Sequence, residues 1–214
     1  MLLASALAST SLLVITDAPS ASALTCLAWT GNTSPGSNNT PSLNTALGTA
    51  GYDCVTVSPG TYSFSSQILI QPGRTLQADV RGQVVLKANP GFSAEILVTE
   101  PLGANAQVAV RRLVLDGASN VNGVIGAAEM IVSDNEIRGA KCWGAAVAGV
   151  SVTISGNLIK NNGASCATAP PGAGVYVTAN PGPNPNSWAP LISSNEIAYN
   201  TGPGIDINNG WGGI

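Results

Sequence analysis

The sequence predicts an all-β fold in which short strands stack in parallel as a solenoid, and three observations carry this prediction. First, 9% of the 214 residues are charged and 44% are hydrophobic, too few charges for the solvated faces of a helical protein. Second, Gly, Ser, Thr and Asn are abundant, as in chains where many short strands alternate with turns. Third, apolar residues recur at a fixed interval along the second half of the chain.

The interval is 22 residues. Leu115, Ile137 and Ile159 follow it, and Ile197 comes 38 residues later. Three further columns keep a similar register: Val110, Val132, Ile154 and Ile192; Leu113, Asn135, Asn157 and Asn195; and Ile125, Val147, Val177 and Ile207. Apolar residues alternate within each unit, which indicates strands, and each unit must stack on the next to bury its apolar side. The units lack the Leu-x-x-Leu-x-Leu pattern of leucine-rich repeats. We therefore expect coils of about 22 residues.

The Asn residues of the third column predict a structural ladder. An Asn amide both donates and accepts hydrogen bonds, so Asn side chains that repeat at one corner of every coil satisfy one another.

The last coil is longer by 16 residues, which divide into insertions of 8 at about 163–173 and 179–190.

Four cysteines predict two disulfides, for which composition alone allows three pairings. Their spacing favours Cys142–Cys166, because Cys166 lies close to one coil beyond Cys142, and Cys26–Cys54. Between the latter two, Leu43, Ala46, Leu47 and Ala50 have helical spacing, with Pro41 and Ser42 before them and Gly51 after them. This short helix is expected to cap the first coil.

The domain organisation follows from these elements. Residues 1–23 are expected to be a signal peptide that ends at the small-residue triplet Ala21-Ser22-Ala23, although no Lys or Arg precedes the apolar stretch, and a buried helix is the alternative. Residues 24–60 are the predicted cap and 61–214 the solenoid. No C-terminal cap follows Asp206, so we expect a truncated chain or an end that a partner covers.

The stretch Cys54-Val-Thr-Val-Ser-Pro-Gly-Thr-Tyr62, followed by Ile68-Leu-Ile70 and Thr75-Leu76, resembles the opening of pectate-lyase-like β-helix proteins. The Ile-x-x-Asn units of residues 154–162 are similar to general β-helix repeats. The resemblance covers roughly residues 54–209 and implies a right-handed parallel β-helix. It does not name a reaction, because that family includes lyases, glycosidases, epimerases, adhesins and repeat proteins without known chemistry.

Several function classes are excluded by composition. The chain has no histidine, which rules out Ser-His-Asp and Cys-His catalysis and His-ligated zinc. Its net charge is −3, and no basic cluster exceeds the pair Arg111-Arg112, which argues against a nucleic-acid partner. The sequence contains no CxxC pair of the kind that would indicate a metal site. Beyond the predicted signal peptide, no segment is apolar for long enough to span a membrane. A secreted protein is therefore expected.

The first candidate site is a groove for substrate on one sheet. Strand alternation turns Tyr176, Thr178, Asp206 and Asn208 outward beside small residues, and Trp188 lies in one of the flanking insertions. Val124 and Ala146 are expected in the same outward column as Tyr176. Aromatic and polar groups on a flat strip predict carbohydrate binding, and an ordinary exposed sheet is the alternative. The other tryptophans, Trp29, Trp143 and Trp211, are expected to cap loops or coil ends.

The second candidate site is the outward column of Asp116, Arg138 and Lys160, spaced by 22 residues. In a polysaccharide lyase the carboxylate would bind Ca²⁺ or position substrate, and an arginine or lysine would neutralise the uronate and remove the C5 proton. The alternative is a salt-bridge ladder on the surface. Two hypotheses follow: a lyase acting on acidic polysaccharides, with Ca²⁺ as a candidate cofactor, and a secreted β-helix without catalysis that binds a polysaccharide or a cell-surface glycan or serves as a structural module.

Overall fold

The computed structural model describes residues 24–101, 106–148, 152–166, 172–178 and 190–208. The predicted signal peptide, 1–23, lies outside the described residues. Within them the chain forms three parallel β-sheets and one α-helix.

Each sheet is a stack of short parallel strands. The first sheet has the order β1-β2-β5-β8-β11-β14-β17 and comprises Cys26–Trp29, Cys54–Val57, Thr75–Ala78, Val108–Arg111, Met130–Ser133, Thr153–Ser155 and Leu191–Ser193. The second has the order β3-β6-β9-β12-β15-β18 and comprises Gly60–Phe64, Val84–Ala88, Val114–Asp116, Glu136–Arg138, Leu158–Lys160 and Glu196–Ala198. The third has the order β4-β7-β10-β13-β16-β19 and comprises Ile68–Leu69, Ile96–Thr99, Gly123–Ala127, Trp143–Val147, Ala173–Thr178 and Ile205–Asn208.

The chain visits the three sheets in rotation from β2 onward, so each strand pairs with the strand three places later. Inward side chains of all three sheets meet in one apolar core, in which Leu86, Leu115, Ile137 and Ile159 are fully buried. The predicted mostly β, parallel architecture is thereby confirmed, and the stacking is consistent with a β-helix-like solenoid.

The predicted columns hold in the first two sheets. Ile137 pairs with Leu115 on one side and Ile159 on the other, and Ile159 pairs with Ile197. The column of Val110, Val132, Ile154 and Ile192 is also in register.

The predicted column of the third sheet is wrong at its first step. Ile125 pairs with Ala145, and Ala127 pairs with Val147. The later steps, Val147 to Val177 and Val177 to Ile207, are as predicted.

The shift has a local cause in the lengths of the connections. Residues 117–122 connect β9 to β10, whereas the shorter segment 139–142 connects β12 to β13. The third sheet therefore advances by fewer residues at this step than the other two. The difference is made up before β14, whose Ile154 pairs with Val132.

The predicted Asn ladder lies at the corner between the first and second sheets. Asn135, Asn157 and Asn195 stack, and the Nδ2 of each donates to the Oδ1 of the next, over 3.1 Å and 3.0 Å. The same Oδ1 atoms accept the backbone N–H of the preceding Asn. Asn135 and Asn157 are buried, so the ladder satisfies polar groups that water does not reach.

A second Asn ladder, which the sequence analysis did not identify, lies at the corner between the second and third sheets. Asn162 donates its backbone N–H and its Nδ2 to the Oδ1 of Asn200, both over 3.0 Å, and its own Oδ1 accepts the N–H of Ala140. The residue before each ladder Asn turns the chain sharply: Asn161 and Tyr199 have φ of 55° and 56°, in the left-handed region that Asn tolerates well.

Glycines occupy the position where the third sheet approaches the second ladder. A Cβ on Gly144 would lie 2.7 Å from the carbonyl oxygen of Gly174 and 2.8 Å from Nδ2 of Asn162. A Cβ on Gly174 would meet Gly204 and Asn200 in the same way. Glycine is therefore required at this corner by close packing.

The helix α1 spans Thr40–Gly48, so it begins earlier and ends earlier than predicted. Pro41 lies in its first turn, where no backbone donor is needed, and Oδ1 of Asn38 accepts the N–H of Thr40. Thr49 is extended and ends the helix, so Ala50 is exposed and not part of the apolar face. Leu43 and Leu47, which were predicted on that face, are completely buried, and α1 packs against β1, β2 and β4.

Both predicted disulfides are confirmed. Cys26 and Cys54 are directly paired residues of β1 and β2, with Cα atoms 4.5 Å apart. Cys142 and Cys166 lie in successive coils, with Cα atoms 4.6 Å apart. Two disulfides fit an extracellular protein.

Candidate functional site

The third sheet carries one outward column that runs across all six of its strands. Adjacent members are paired residues of neighbouring strands, and all are partly exposed. We call this column the third-sheet strip; it consists of Leu69, Thr99, Gly126, Ala146, Tyr176 and Asp206. Val124, which was predicted in this column, is completely buried, and Gly126 takes its place because of the register shift described above.

An aromatic pair lies on the strip. The rings of Trp143 and Tyr176 stack with their centroids 5.1 Å apart and their planes inclined by 16°. Asn208 donates its Nδ2 to the Tyr176 hydroxyl over 3.0 Å. Tyr176 is thus held by ring stacking and by a hydrogen bond to its phenol oxygen, and the pair forms a fixed, partly exposed aromatic surface.

Polar groups surround this aromatic surface. Asp206 is paired with Tyr176 in the next strand, and Thr178 is paired with Asn208. The structure therefore brings together four of the five residues predicted to bind substrate. Trp188 lies outside the described residues, so its place beside the strip stays a prediction.

The pairing of Trp143 with Tyr176 was missed by the sequence analysis. Trp143 was expected to cap a loop or a coil end, whereas it begins β13 on the same sheet as Tyr176. The 22-residue interval gives no hint of this contact, because the two residues are 33 apart and are not paired: Trp143 pairs with Ala173, three residues before Tyr176. Trp29, by contrast, is buried and packs against Tyr62, with ring centroids 5.1 Å apart. Trp211 lies outside the described residues.

The second predicted site lies on the second sheet. Asp116, Arg138 and Lys160 are paired residues of successive strands and form one outward column. Arg138 Nε donates to Asp116 over 3.1 Å, and Arg138 also donates to Glu136 over 2.6 Å. Lys160 Nζ lies 3.3 Å from the same Glu136 oxygen. Glu136 was not predicted here, although its position two residues before Arg138 places it on the same face. These four residues are the charged cluster.

Ion pairing sets the protonation of Glu136 and Arg138. Burial raises the pKa of Glu136, but hydrogen bonds from Arg138 and Lys160 outweigh it, and the net pKa is lowered. Burial lowers the pKa of Arg138, but the hydrogen bonds that it donates to Asp116 and Glu136 outweigh this effect, and the net pKa is raised. Arg138 therefore keeps its proton more firmly than a free arginine, which opposes a role as a general base.

No metal-binding group is found within the described ranges: they contain no cluster of three or more Cys, Asp or Glu side chains that could hold an ion.

A buried carboxylate, Glu100, lies just beyond the strip residue Thr99. It is 4% exposed, and its Oε1 accepts the backbone N–H groups of Ala128 and Glu129, both over 2.6 Å. Its Oε2 has no hydrogen-bond partner within the described part of the chain. Burial raises the pKa of Glu100, the two backbone hydrogen bonds lower it by less, and the nearby charge of Glu129 raises it further. Sequence patterns gave no signal of this site.

We expect Glu100→Gln to remove the pH dependence of stability that Glu100 contributes, because the amide oxygen keeps the acceptor for both N–H groups and the side chain no longer ionises. The pKa of Glu100 is higher in the folded state than in the unfolded state. Its contribution to stability is therefore complete below the unfolded-state pKa and is lost as the pH rises through the folded-state pKa. The Gln variant should lack this loss. Urea unfolding of both proteins between about pH 4 and pH 8 measures it.

Glu95→Gln is the matched control, because Glu95 is exposed in the same coil and its substitution should leave the pH profile unchanged. A Glu100→Gln variant that loses stability between about pH 4 and pH 8 as the wild type does would contradict the prediction.

The only helix in the described ranges, Thr40–Gly48, is too short to cross a membrane. Comparison of the chain with protein-family models, with curated proteins and with solved structures found no match.

Proposed function

We propose that this chain is a secreted right-handed parallel β-helix protein, with coils of about 22 residues, that binds polysaccharide on its third sheet without cleaving it. Two observations support this fold: the three sheets of stacked parallel strands, and the resemblance of the Cys54–Tyr62 segment to the opening of pectate-lyase-like β-helix proteins. Export is supported by the two disulfides and by the pattern of residues 1–23.

The stacked Trp143–Tyr176 pair is the observation that carries the binding function. Sugar rings present apolar C–H faces and polar hydroxyl edges. A fixed aromatic surface suits the first, and the adjacent Asp206 and Asn208 suit the second. The small residue Ala146 continues the strip next to Tyr176. At Gly126 the Ile96 side chain covers the strip, since a Cβ there would lie 2.7 Å from Ile96 Cδ1.

Tyr176→Ala is expected to weaken glycan binding about tenfold, which corresponds to about 1.4 kcal/mol, because it removes half of the aromatic surface. Tyr176→Phe is the matched variant: it keeps the ring, loses the hydrogen bond from Asn208, and should bind within about threefold of the wild type. Isothermal titration against glycans selected on an array gives both affinities, and thermal unfolding checks that the variants fold. Equal binding by wild type and Tyr176→Ala would place the glycan elsewhere.

A polysaccharide lyase is the second candidate, favoured by the alignment of Asp116, Arg138 and Lys160 in one column. The ion pairs of Arg138 and Lys160 with protein carboxylates weigh against it. Incubation with pectate, alginate and glycosaminoglycans, with and without Ca²⁺, separates the two candidates. Unsaturated uronides that form with the wild type and not with Lys160→Ala would establish the lyase.

A further inference from the structure

The third-sheet strip and the charged cluster differ sharply in their number of charged side chains, one against four, and this difference bears on the kind of glycan bound. We infer that the strip binds an electrically neutral polysaccharide and discriminates against chains of uronic acids. The inference rests on the proposed binding function of the strip and adds the substrate class.

Among the described residues of the strip, Asp206 is the one charged side chain. The neighbours that complete the candidate site, Trp143, Thr178 and Asn208, are uncharged. A polysaccharide of uronic acids brings a carboxylate on every sugar and is normally met by arginine or lysine, which pair with carboxylates. The strip offers such a chain a negative charge instead.

The repulsion is large enough to decide specificity. Two like charges about 4 Å apart repel each other several times more strongly near a protein surface than in bulk water. One uronate beside Asp206 is therefore expected to lower binding by about tenfold, which corresponds to about 1.4 kcal/mol.

The arginine and the lysine of the charged cluster lie on a different sheet from the strip and are already paired with carboxylates. Arg138 donates to Asp116 and Glu136, and Lys160 lies 3.3 Å from Glu136. Lys87 is exposed in the same column of the second sheet, beside Asp116 in the strand register. The arginine and the lysine of the charged cluster therefore already have carboxylate partners on the second sheet.

A neutral sugar, by contrast, uses every group of the site. Its hydroxyls donate to the Asp206 carboxylate, in hydrogen bonds that the charge strengthens. Asn208 supplies an amide that both donates and accepts, while its bond to Tyr176 fixes the ring on which a sugar face stacks.

A glycan array that carries both neutral and uronic-acid oligosaccharides tests the inference. Binding to neutral glycans that Tyr176→Ala weakens is the expected result. If Tyr176→Ala weakens binding to uronic-acid glycans and the array shows no neutral ligand, the inference fails and the proposed binding function stands. If no glycan of either class binds in a Tyr176-dependent way, the proposed function fails together with the inference.

Asp206→Lys is expected to change the ratio of uronate to neutral affinity by about tenfold or more in favour of uronates. Glu196→Lys is the matched control: it makes the same change of net charge in the same coil, on the exposed face of the second sheet, and should leave the ratio unchanged at moderate salt. An equal shift in both variants would show that net charge alone sets the preference and would overturn the inference.

Discussion

Replacing Asn157 with leucine is expected to lower the free energy of unfolding by about 4 kcal/mol. Oδ1 of Asn157 accepts both the backbone N–H and the Nδ2 of Asn135, and Nδ2 of Asn157 donates to the carbonyl of Val132. Asn135 is fully buried, so its backbone N–H and one of its two Nδ2 hydrogens would have no partner and no water, while the other hydrogen still donates to the carbonyl of Val110. Each unsatisfied buried group costs about 1–3 kcal/mol.

Leu113 shows why leucine is accepted at one step of this column and not at another. It is the first member of the column, and its N–H donates to Oδ1 of Asn135. Asn135 in turn needs the acceptor that Asn157 supplies.

Urea unfolding measures the effect, with Ser155→Ala as the control. Ser155 is partly exposed two residues earlier in the chain, and its change should stay within about 0.5 kcal/mol. A leucine variant as stable as the wild type would show that the ladder adds no net stability.

Gly144→Ala is expected to cost about 3 kcal/mol, the second largest effect. The new methyl group would lie 2.7 Å from the backbone oxygen of Gly174 and 2.8 Å from both Asn162 Nδ2 and Ile159 Cγ2. None of these atoms is the end of a flexible exposed side chain, so the backbone of the coil or the second Asn ladder must shift. Overpacking of a core in this way costs typically 1–3 kcal/mol, and the disturbed ladder adds to it.

Gly123→Ala in the adjacent strand is the matched control. Its Cβ would meet Ile96 at 3.6 Å and the Trp143 oxygen at 3.7 Å, both ordinary contacts, so the substitution should change stability by less than about 0.5 kcal/mol. Thermal unfolding of the two variants compares a glycine that packing requires with one that it does not. Equal losses would contradict the steric explanation.

The interval in the sequence predicted the first two sheets well, because the connections between them keep their length. Val132 and Ile154 stay in register for this reason, as do Ile137 and Ile159. The third sheet follows connections that vary, and one shortened turn moved Ile125 from Val147 to Ala145. Turn lengths are not visible in a pattern of apolar residues, so this register required the structure.

The candidate site, like the register of the third sheet, could be predicted only in part. Tyr176 and Asp206 lie side by side because both belong to the part of the third sheet in which the predicted register holds. The stacking of Trp143 on Tyr176 joins residues that are not paired in the ladder, since Trp143 pairs with Ala173, so no column of equivalent residues contains both rings. The environment of Glu100 arises from a turn in a neighbouring coil, between β10 and β11, which carries no motif.

The side-chain hydrogen bonds of both Asn ladders run in the same direction along the stack of coils. Such a repeat can be lengthened by adding coils. Each amide passes its donor toward the next coil and receives one from the coil before, so every inner step is chemically the same. The distance from Nδ2 to Oδ1 is 3.0 Å between Asn157 and Asn195, which are 38 residues apart in the chain. It is 3.1 Å between Asn135 and Asn157, which are 22 residues apart. Duplication of a whole coil would therefore join the stack without new corner chemistry and extend it by about 4.8 Å, a route by which genes for such chains can grow by tandem copying.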